Sequence, residues 1–397
     1  MLRPVQQVQI WKILKNLIGQ DLRRISLPLV LNEPASGLQR MGEGITNCHG
    51  LFKQAANCDD SIRRLVLTST FLISMVADLN IRRKKPFNPM LGETFEYVHD
   101  EYRLLIEKIQ HIPKQLSCFC LESEDYTVWG YDYPGNPAFK FAGGKGQLEI
   151  TIIGTITVYY KKFDEYITFQ RPQFMVRNLI FGVNFLDMQG PVTAMSHKTG
   201  EKIVYQFTAR KSEEQSSHVT ASAYTSTGQK VLTIDGCWHQ EVHMRDLRTN
   251  KTELLFKPRE LAENAHLQFF FFKRSVLMNY INDEMAETIS PTDSRLRTDI
   301  RLFEEANLEQ AEKVHVDIEI QQRKVRKQVE DGEVEAWQPR FFKKVAHPCI
   351  KESDQAQIEP IMYALIENEG DGKGYWERRE NKDWSDMPNL WGPFEHS

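Results

Sequence analysis

Alternation of apolar and polar residues dominates the middle of the chain and predicts β-strands there. Leu148, Ile150 and Ile152 alternate with polar or small residues, as do Tyr205 and Phe207 with their neighbours. Turn sequences separate such segments: GGKG at 143–146, HKTG at 197–200, STG at 226–228 and RTN at 248–250. Many strands joined by short turns, with few helices between about 90 and 256, predict an antiparallel sheet or barrel.

The N-terminal part of the chain carries a helical pattern instead. Residues 1 to about 85 are predicted to be mainly helical, and their first apolar stripe recurs at spacings of three and four: Val5, Val8, Trp11, Leu14 and Ile18. Gly19 ends this helix, and Lys12 and Lys15 stand off the stripe. The pattern fits an ordinary surface helix packed on a core, or a mobile lid or membrane-touching helix.

The last third returns to helix and ends in an aromatic tail. The stretch from Leu308 to Val329 is rich in Glu, Gln, Lys and Arg, which predicts a long helix. The tail beyond it is too apolar to be disordered. Its large aromatic residues are Trp337, Phe341, Phe342, Tyr375, Trp376, Trp384 and Trp391. We expect this tail to wrap the β domain.

Composition and charge exclude several classes of protein. The 397 residues include 50 basic and 54 acidic ones, for a formal charge of −4, so no nucleic-acid binding is expected. Six cysteines without repeated spacing favour a reduced, cytosolic setting. Residues 1–30 lack the apolar core of a signal peptide. The longest apolar stretch, Leu65 to Leu79, is shorter than the roughly 20 residues of a membrane span, so membrane contact should be peripheral.

No pattern in the chain predicts catalysis, and we assign no catalytic residue. GxSxG, P-loop and GxGxxG sequences are absent. His239 and His243 are four apart, but they follow the strand-like run 231–234, where that spacing is not a helical face, so no metal site is predicted. Cys118 and Cys120 share one face of a predicted strand and are expected in the core. No cofactor is expected.

Two segments suit ligand binding, although each pattern also fits a solvated surface segment that binds no ligand. Residues 82–93, RRKKPFNPMLGE, form a shaped loop of basic residues and prolines that presents lysine and asparagine to an anion; the alternative is a solvated charge run. His315, Glu319 and Arg323 lie within an arc of about 80 degrees on one helix face, where Arg323 could clamp a phosphate; the alternative is an ordinary solvated face.

Together these segments resemble the oxysterol-binding-protein-related family. Residues 85–96, KPFNPMLGETFE, are similar to its KPxNPxLGE stretch, and residues 291–301, PTDSRLRTDIR, to its PTDSRxRxDxR stretch. Matches to its closing motifs are WQPRFF at 337–342 and YWERRE at 375–380, and matches to its N-terminal motif are NEPAS at 32–36 and LQR at 38–40. The motifs occur in the family's order from about Trp11 to Trp384.

The resemblance implies a β-dominated α+β fold: an incomplete, many-stranded antiparallel β-barrel around a lipid tunnel, with an N-terminal lid and helical flanks. One lipid-binding domain, 1–397, would comprise a lid at 1–31, a helical N-terminal subdomain at 32–85, the β-barrel at 86–275 and a helical, wrapping C-terminal subdomain at 276–397. The side chains expected at the tunnel or lid are Trp11, Leu14, Leu22, Ile25, Leu31 and Phe87.

The implied activity is lipid transfer. Members of the family take one lipid from a donor membrane, close the lid and release the lipid at an acceptor, and many exchange sterol for phosphatidylinositol 4-phosphate. The expected partners are a sterol or phospholipid cargo and transiently contacted membrane surfaces, for a monomer that is cytoplasmic and peripherally membrane-associated. A lipid-occupancy sensor, and a carrier of a phospholipid such as phosphatidylserine, are the alternatives.

The chain departs from the family where a phosphoinositide headgroup would bind. The resemblance assigns that headgroup to Lys85, Asn88, His111, His315, Glu319 and Arg323. The family's EQVSHHPP reads EKIQHIPK at 107–114, so its second histidine is Ile112, and His315 replaces a lysine. We predict weakened or lost phosphoinositide binding, stronger at lower pH if the histidines protonate. One of Lys84, Lys108 and Lys114 would replace the lost positive charge if the loop turned that lysine toward the headgroup.

Overall fold

The computed structural model describes residues 29, 32–77, 84–135, 138–140, 146–178, 185–210, 217–258, 279–351, 359–367 and 374–392. Five of the residues predicted for the tunnel or lid lie outside these ranges: Trp11, Leu14, Leu22, Ile25 and Leu31. The lid and the four-part division of the chain therefore stay predictions.

A short strand and four helices follow the N-terminal segment. They are β1 (Asn32–Ser36), α1 (Gly37–Thr46), α2 (His49–Ala56), α3 (Ser61–Ser69) and α4 (Phe71–Ser74). Ser36 and Gln39 form a capping box that starts α1. The helical prediction holds for 37–74, but β1 is extended, since Pro34 lacks the amide donor that a helix interior needs. β1 pairs in parallel with β2 (Lys85–Phe87).

The middle of the chain forms one large antiparallel sheet. Its strands are β3 (Thr94–His99), β4 (Tyr102–Lys108), β5 (Ser117–Ser123), β6 (Tyr126–Pro134), β7 (Ala138–Lys140), β8 (Gln147–Ile150), β9 (Ile152–Ile153), β10 (Ile156–Tyr160), β11 (Glu165–Phe169), β12 (Gln173–Arg177), β13 (Phe185–Ser196), β14 (Lys202–Thr208), β15 (His218–Tyr224), β16 (Lys230–Gly236), β17 (Val242–Asp246) and β18 (Lys251–Phe256).

The strand order explains why the sheet is an open barrel. Neighbouring strands run β18-β17-β16-β15-β14-β13-β11-β10-β6-β5-β4-β3, with β7, β8, β9 and β12 as a side branch. The two end strands, β3 and β18, do not pair with each other within the described residues. The predicted β-dominated fold with an incomplete antiparallel barrel is confirmed.

The C-terminal part adds helices and a hairpin. Its elements are α5 (Asp283–Thr288), α6 (Thr298–Glu304), α7 (Leu308–Glu330), β19 (Phe342–Ala346), β20 (Ile361–Leu365) and α8 (Tyr375–Asn381). The long helix predicted from Leu308 is therefore present as α7. Within the described part of the chain, no helix combines the length and apolar character needed to cross a membrane.

The two faces of the sheet are covered by different parts of the chain. Helices α1–α4 pack on one face, where Ile106 and Phe95 join the main core; a Cβ added to Gly42 of α1 would come within 2.7 Å of the Phe95 ring. On the opposite face of β4, Leu105 packs against Phe341 and Tyr375 of the C-terminal tail. The tail thus covers the outer face of β4–β6, and the helices cover the inner face.

Candidate functional site

A buried charge network shapes the loop that follows β2. Arg297 is fully buried and donates to Oε2 of Glu93 and Oδ2 of Asp299, each at 2.8 Å. It also donates to the carbonyl oxygen of Asn88 at 2.9 Å. Burial opposes its charge, but the carboxylates of Asp299 and Glu93 outweigh burial and raise the pKa of Arg297. The network fixes the loop against the start of α6.

Lys85, the first residue of β2, contacts Asn88 of this loop. Its Nζ donates to Oδ1 of Asn88 at 3.1 Å and to the carbonyl oxygen of Pro86 at 3.2 Å. Burial lowers the pKa of Lys85 to about 8, the positive charge of Arg297 adds to the fall, and Glu319 opposes it. The two polar residues predicted from this segment therefore meet, and Lys85 lies close enough to Glu319 of α7 to feel its charge.

The three predicted residues of α7 have different environments. His315 is buried, with Nδ1 at 2.7 Å from Oδ2 of Asp299 and Nε2 at 3.5 Å from Oε1 of Glu319. Oε2 of Glu319 lies 3.9 Å from Nη1 of Arg323, whose side chain is 56% exposed. Glu319 thus lies between Arg323 and His315, and the shorter contact of His315 is with Asp299 of α6.

The partner of His315 is itself strongly acidic. Burial would raise the pKa of Asp299, but Arg297 and the hydrogen bond from His315 hold it well below its usual range. The ring of His315 also stands edge-on to Phe87, with 5.4 Å between ring centroids. Phe87 lies in a small cluster with Leu29, Ile300 and Ala311, between β2, α6 and α7, while its predicted role at the tunnel stays untested.

His111 lies in the turn after β4. Its Nδ1 is buried and accepts or donates no hydrogen bond within the described residues. Burial lowers the pKa of His111 to about 4, and the positive charges of Lys108 and Arg326 add to the fall. The next residue, Ile112, is 49% exposed. His111 is therefore neutral at neutral pH unless an anion approaches it.

The three lysines expected to compensate differ in position. Lys84 lies 5.9 Å from the ring centroid of Phe303. Lys114 donates to the hydroxyl of Tyr133 at 2.8 Å and lies 3.4 Å from Glu359. Lys108 is buried at the end of β4, with 2% of its surface exposed. Lys108 alone is turned into the interior. The alternation of β4 already indicates this, since Lys108 shares the inner face with Ile106.

Several family-like motifs contact one another and have structural rather than ligand-facing roles. Gly92 has a φ of 83°, and a Cβ there would come within 2.7 Å of Trp337. Glu107, the first residue of EKIQHIPK, accepts backbone N–H groups of Arg340 at 2.9 Å and Phe341 at 3.0 Å. Burial raises the pKa of Glu107 to about 7, against these hydrogen bonds. These contacts fasten the tail to β4.

The histidines and cysteines outside this region do not form a metal cluster in the described part of the chain. His239 lies in the turn between β16 and β17, and His243 lies on β17. No group of three or more His, Cys, Asp or Glu side chains that could hold a metal ion occurs among the described residues. Cys118 and Cys120 are buried, as predicted for core residues.

Relatives with similar sequences extend well beyond this chain. Oxysterol-binding protein-related protein 6 of Homo sapiens is 30% identical over 392 residues, covering 97% of this chain and 39% of the relative. Oxysterol-binding protein 2 of Mus musculus is 28% identical over 419 residues, covering 98% of this chain and 44% of the relative. The chain therefore spans about two fifths of the length of these curated relatives.

Solved structures are similar over almost the whole chain. The Osh1 ORD domain in complex with ergosterol superposes with a TM-score of 0.82 at 26% identity, covering 98% of this chain and 91% of that one. The Osh3 ORD in complex with PI(4)P from Saccharomyces cerevisiae superposes with a TM-score of 0.76 at 28% identity, covering 96% and 95%. The family model for oxysterol-binding protein matches residues 9–380, so the chain belongs to that family.

Proposed function

We propose that the protein binds one lipid, with sterol as the first candidate, inside its curved sheet and transfers it between membranes. The observation that carries this proposal is the similarity to the ergosterol-bound Osh1 ORD domain over 98% of the chain. A second Osh1 structure, in complex with cholesterol, has the same TM-score of 0.82. The protein would act without catalysis or a cofactor, as a cytoplasmic monomer in transient contact with membranes.

Burial of apolar surface supplies the driving force for such binding. Each 100 Å² of apolar lipid surface removed from water contributes about 2.5 kcal/mol. The inner face of the sheet is apolar, since alternate residues of β14 such as Tyr205 and Phe207 join the main core there together with helices α1–α4, and a lipid would have to lie beside these helices within the curved sheet. Release then needs a membrane or an opening of the predicted lid at 1–31.

The site favours weak exchange of phosphatidylinositol 4-phosphate at the position that the family resemblance predicts. His315 is engaged by Asp299 at 2.7 Å, and Ile112 supplies no imidazole. Charge-assisted hydrogen bonds contribute roughly 1.5–3 kcal/mol each, so the loss of one or two would weaken binding tenfold or more. Lys85, Asn88, Glu319 and Arg323 remain as a partial headgroup site.

A transfer assay between vesicles tests the proposal. Donor vesicles carrying a fluorescent sterol are mixed with unlabelled acceptors, and the protein is expected to accelerate sterol movement at catalytic amounts. A bound sterol with no acceleration would support the lipid-occupancy sensor instead. Mass spectrometry of lipid that co-purifies with the protein identifies the cargo, and a phospholipid such as phosphatidylserine in place of sterol would overturn the sterol assignment.

A further inference from the structure

The face of α7 that points away from the rest of the protein has apolar side chains at its centre. Ile318 is buried and marks the side of the helix that packs on the protein. Val316 and Ile320 lie about 20 degrees to either side of the opposite direction, since each residue turns the helix by about 100 degrees. They are 40% and 50% exposed. Among the described residues, two branched apolar side chains therefore remain open to solvent on this outward face.

Opposite charges lie at the two ends of the outward face. Glu309 and Lys327, nine residues before and nine residues after Ile318, both point away from it, and both are exposed. Glu312 lies one turn from Glu309, and Lys324 lies one turn from Lys327; these two side chains are exposed as well. The outward face is thus acidic at its first end, apolar in the middle and basic at its second end.

Contacts within α7 do not prevent these charges from meeting another molecule. Glu309 lies 3.5 Å from Lys313, and Arg323 lies 3.9 Å from Glu319. Exposed pairs one turn apart stabilise a helix only weakly, so they exchange readily for contacts with a second molecule. The acidic half also contains a shallow surface depression. The residues that line it are Glu309, Glu312, Lys313, Val316 and Asp317.

We propose that two copies of this chain pair through the outward faces of α7, antiparallel, about a two-fold axis level with Ile318. Such an axis places residues at equal distances before and after Ile318 opposite each other. Val316 of one copy then faces the partner's Ile320, and Glu309 faces the partner's Lys327, each contact occurring twice. A parallel pair would place like charges together at both ends, so the order of charges selects the antiparallel arrangement.

The size of this face predicts a weak dimer. The 23 residues of α7 span about 35 Å at 1.5 Å per residue, and a strip about 10 Å wide along them covers roughly 350 Å² on each copy. The total of roughly 700 Å² is below the ~1,200 Å² of stable interfaces. We expect a dissociation constant on the order of 0.1 mM. The lipid carrier proposed above is then a monomer when dilute, and it pairs where its local concentration is high, as on a membrane surface.

Exchange of one apolar side chain on the outward face tests the pairing with a matched control. Sedimentation velocity between about 10 µM and about 500 µM measures the dissociation constant. Val316→Asp should weaken pairing at least about tenfold, because it places a carboxylate against apolar side chains twice in the dimer. The control is Val325→Asp, since Val325 is 39% exposed but lies on the side of the helix that Ile318 marks. It should change the dissociation constant less than about twofold.

Charge reversal tests the antiparallel arrangement itself. Glu309→Lys and Lys327→Glu should each weaken pairing about tenfold, because either change turns both end contacts of the dimer into like-charge contacts. An equimolar mixture of the two variants should regain the affinity of the natural chain within about threefold. In the mixed dimer, lysine meets glutamate at both ends, whereas neither variant achieves this with itself.

Three results would overturn the proposal: a natural chain that stays monomeric at every concentration, equal effects of the two valine variants, or a mixture no better than its components. Flotation with phosphatidylserine vesicles checks a membrane as the occupant instead. Loss of vesicle binding by Val316→Asp, with a monomeric natural chain, would assign the face to a lipid surface and also count against pairing. Sterol transfer by Val316→Asp should continue, so failure of transfer in the natural chain counts only against the proposed function.

Discussion

Replacing Arg297 with methionine removes the centre of the buried charge network. The guanidinium lies between the carboxylates of Glu93 and Asp299, at 2.8 Å from each, and all three side chains are fully buried. Removing one partner of a buried ion pair costs about 3–5 kcal/mol, because the remaining charge has no compensation. Here two carboxylates are left, so we expect at least that loss from a stability that is typically about 5–15 kcal/mol.

The pH dependence of the Arg297→Met variant has a defined sign. Without the guanidinium, burial should raise the pKa of Asp299 in the folded protein above its unfolded value. The folded variant then binds more protons than the unfolded one, so its stability should recover as the pH falls from 7 toward 5. The natural protein, whose Asp299 has a depressed pKa, should not gain stability over that range from this residue.

Urea unfolding at pH 7, followed by tryptophan fluorescence, measures these differences. Arg63→Met is the control, since Arg63 forms an exposed ion pair with Glu253 and its loss should cost about 0–1 kcal/mol. Changing Glu93 to Gln and Asp299 to Asn together with Arg297→Met should restore much of the stability. A loss below about 1 kcal/mol for Arg297→Met, or a triple variant no better than the single one, would refute the reasoning.

Four further outcomes are expected. Lys85→Ala should weaken binding of phosphatidylinositol 4-phosphate vesicles about tenfold in a flotation assay, while Lys162→Ala leaves it unchanged; equal losses would place the headgroup elsewhere. Binding should strengthen between pH 8.5 and 6.5, as Lys85, with a pKa of about 8, gains a proton; a flat titration would exclude Lys85 from the site. Ile112→His should strengthen the same binding. Deleting residues 1–28 should speed loss of bound sterol, and retention as long as in the full chain would contradict the lid.

Sequence patterns predicted the elements better than the faces that they bury. In β14 the alternation of apolar and polar residues identifies the buried face correctly, because Tyr205 and Phe207 are buried. In β8 the strand is present, yet Gln147 and Glu149 are the buried residues and Leu148 is only half-buried. Gln147 donates to Glu149 at 2.9 Å, so the polar side chains satisfy one another on the covered face. Alternation shows which residues share one face of a strand, whereas tertiary contacts decide which of the two faces is buried.

The candidate site shows the same limit. Motif positions predicted Lys85 and Asn88, and the two residues are in contact. They did not predict that His315 would be held by Asp299, because that partner comes from another helix. The burial of Lys108 follows from the alternation of β4, but the ion pair of Asp132 with Arg171, at 2.9 Å, is a contact that no local pattern contains.

The parallel pairing of β1 with β2 connects two distant parts of the chain mechanically. β1 begins directly after the predicted lid, and its Asn32 is in register with Lys85, the first residue of β2 and part of the partial headgroup site. A displacement of the preceding segment would therefore be transmitted through backbone hydrogen bonds to Lys85. When two binding or closing events are coupled through such a connection, each changes the equilibrium constant of the other by the same factor. If an anion at Lys85 favours closure of the predicted lid, closure must strengthen anion binding by the same factor. A membrane that withdraws the anion would then also favour opening of the lid and release of the lipid.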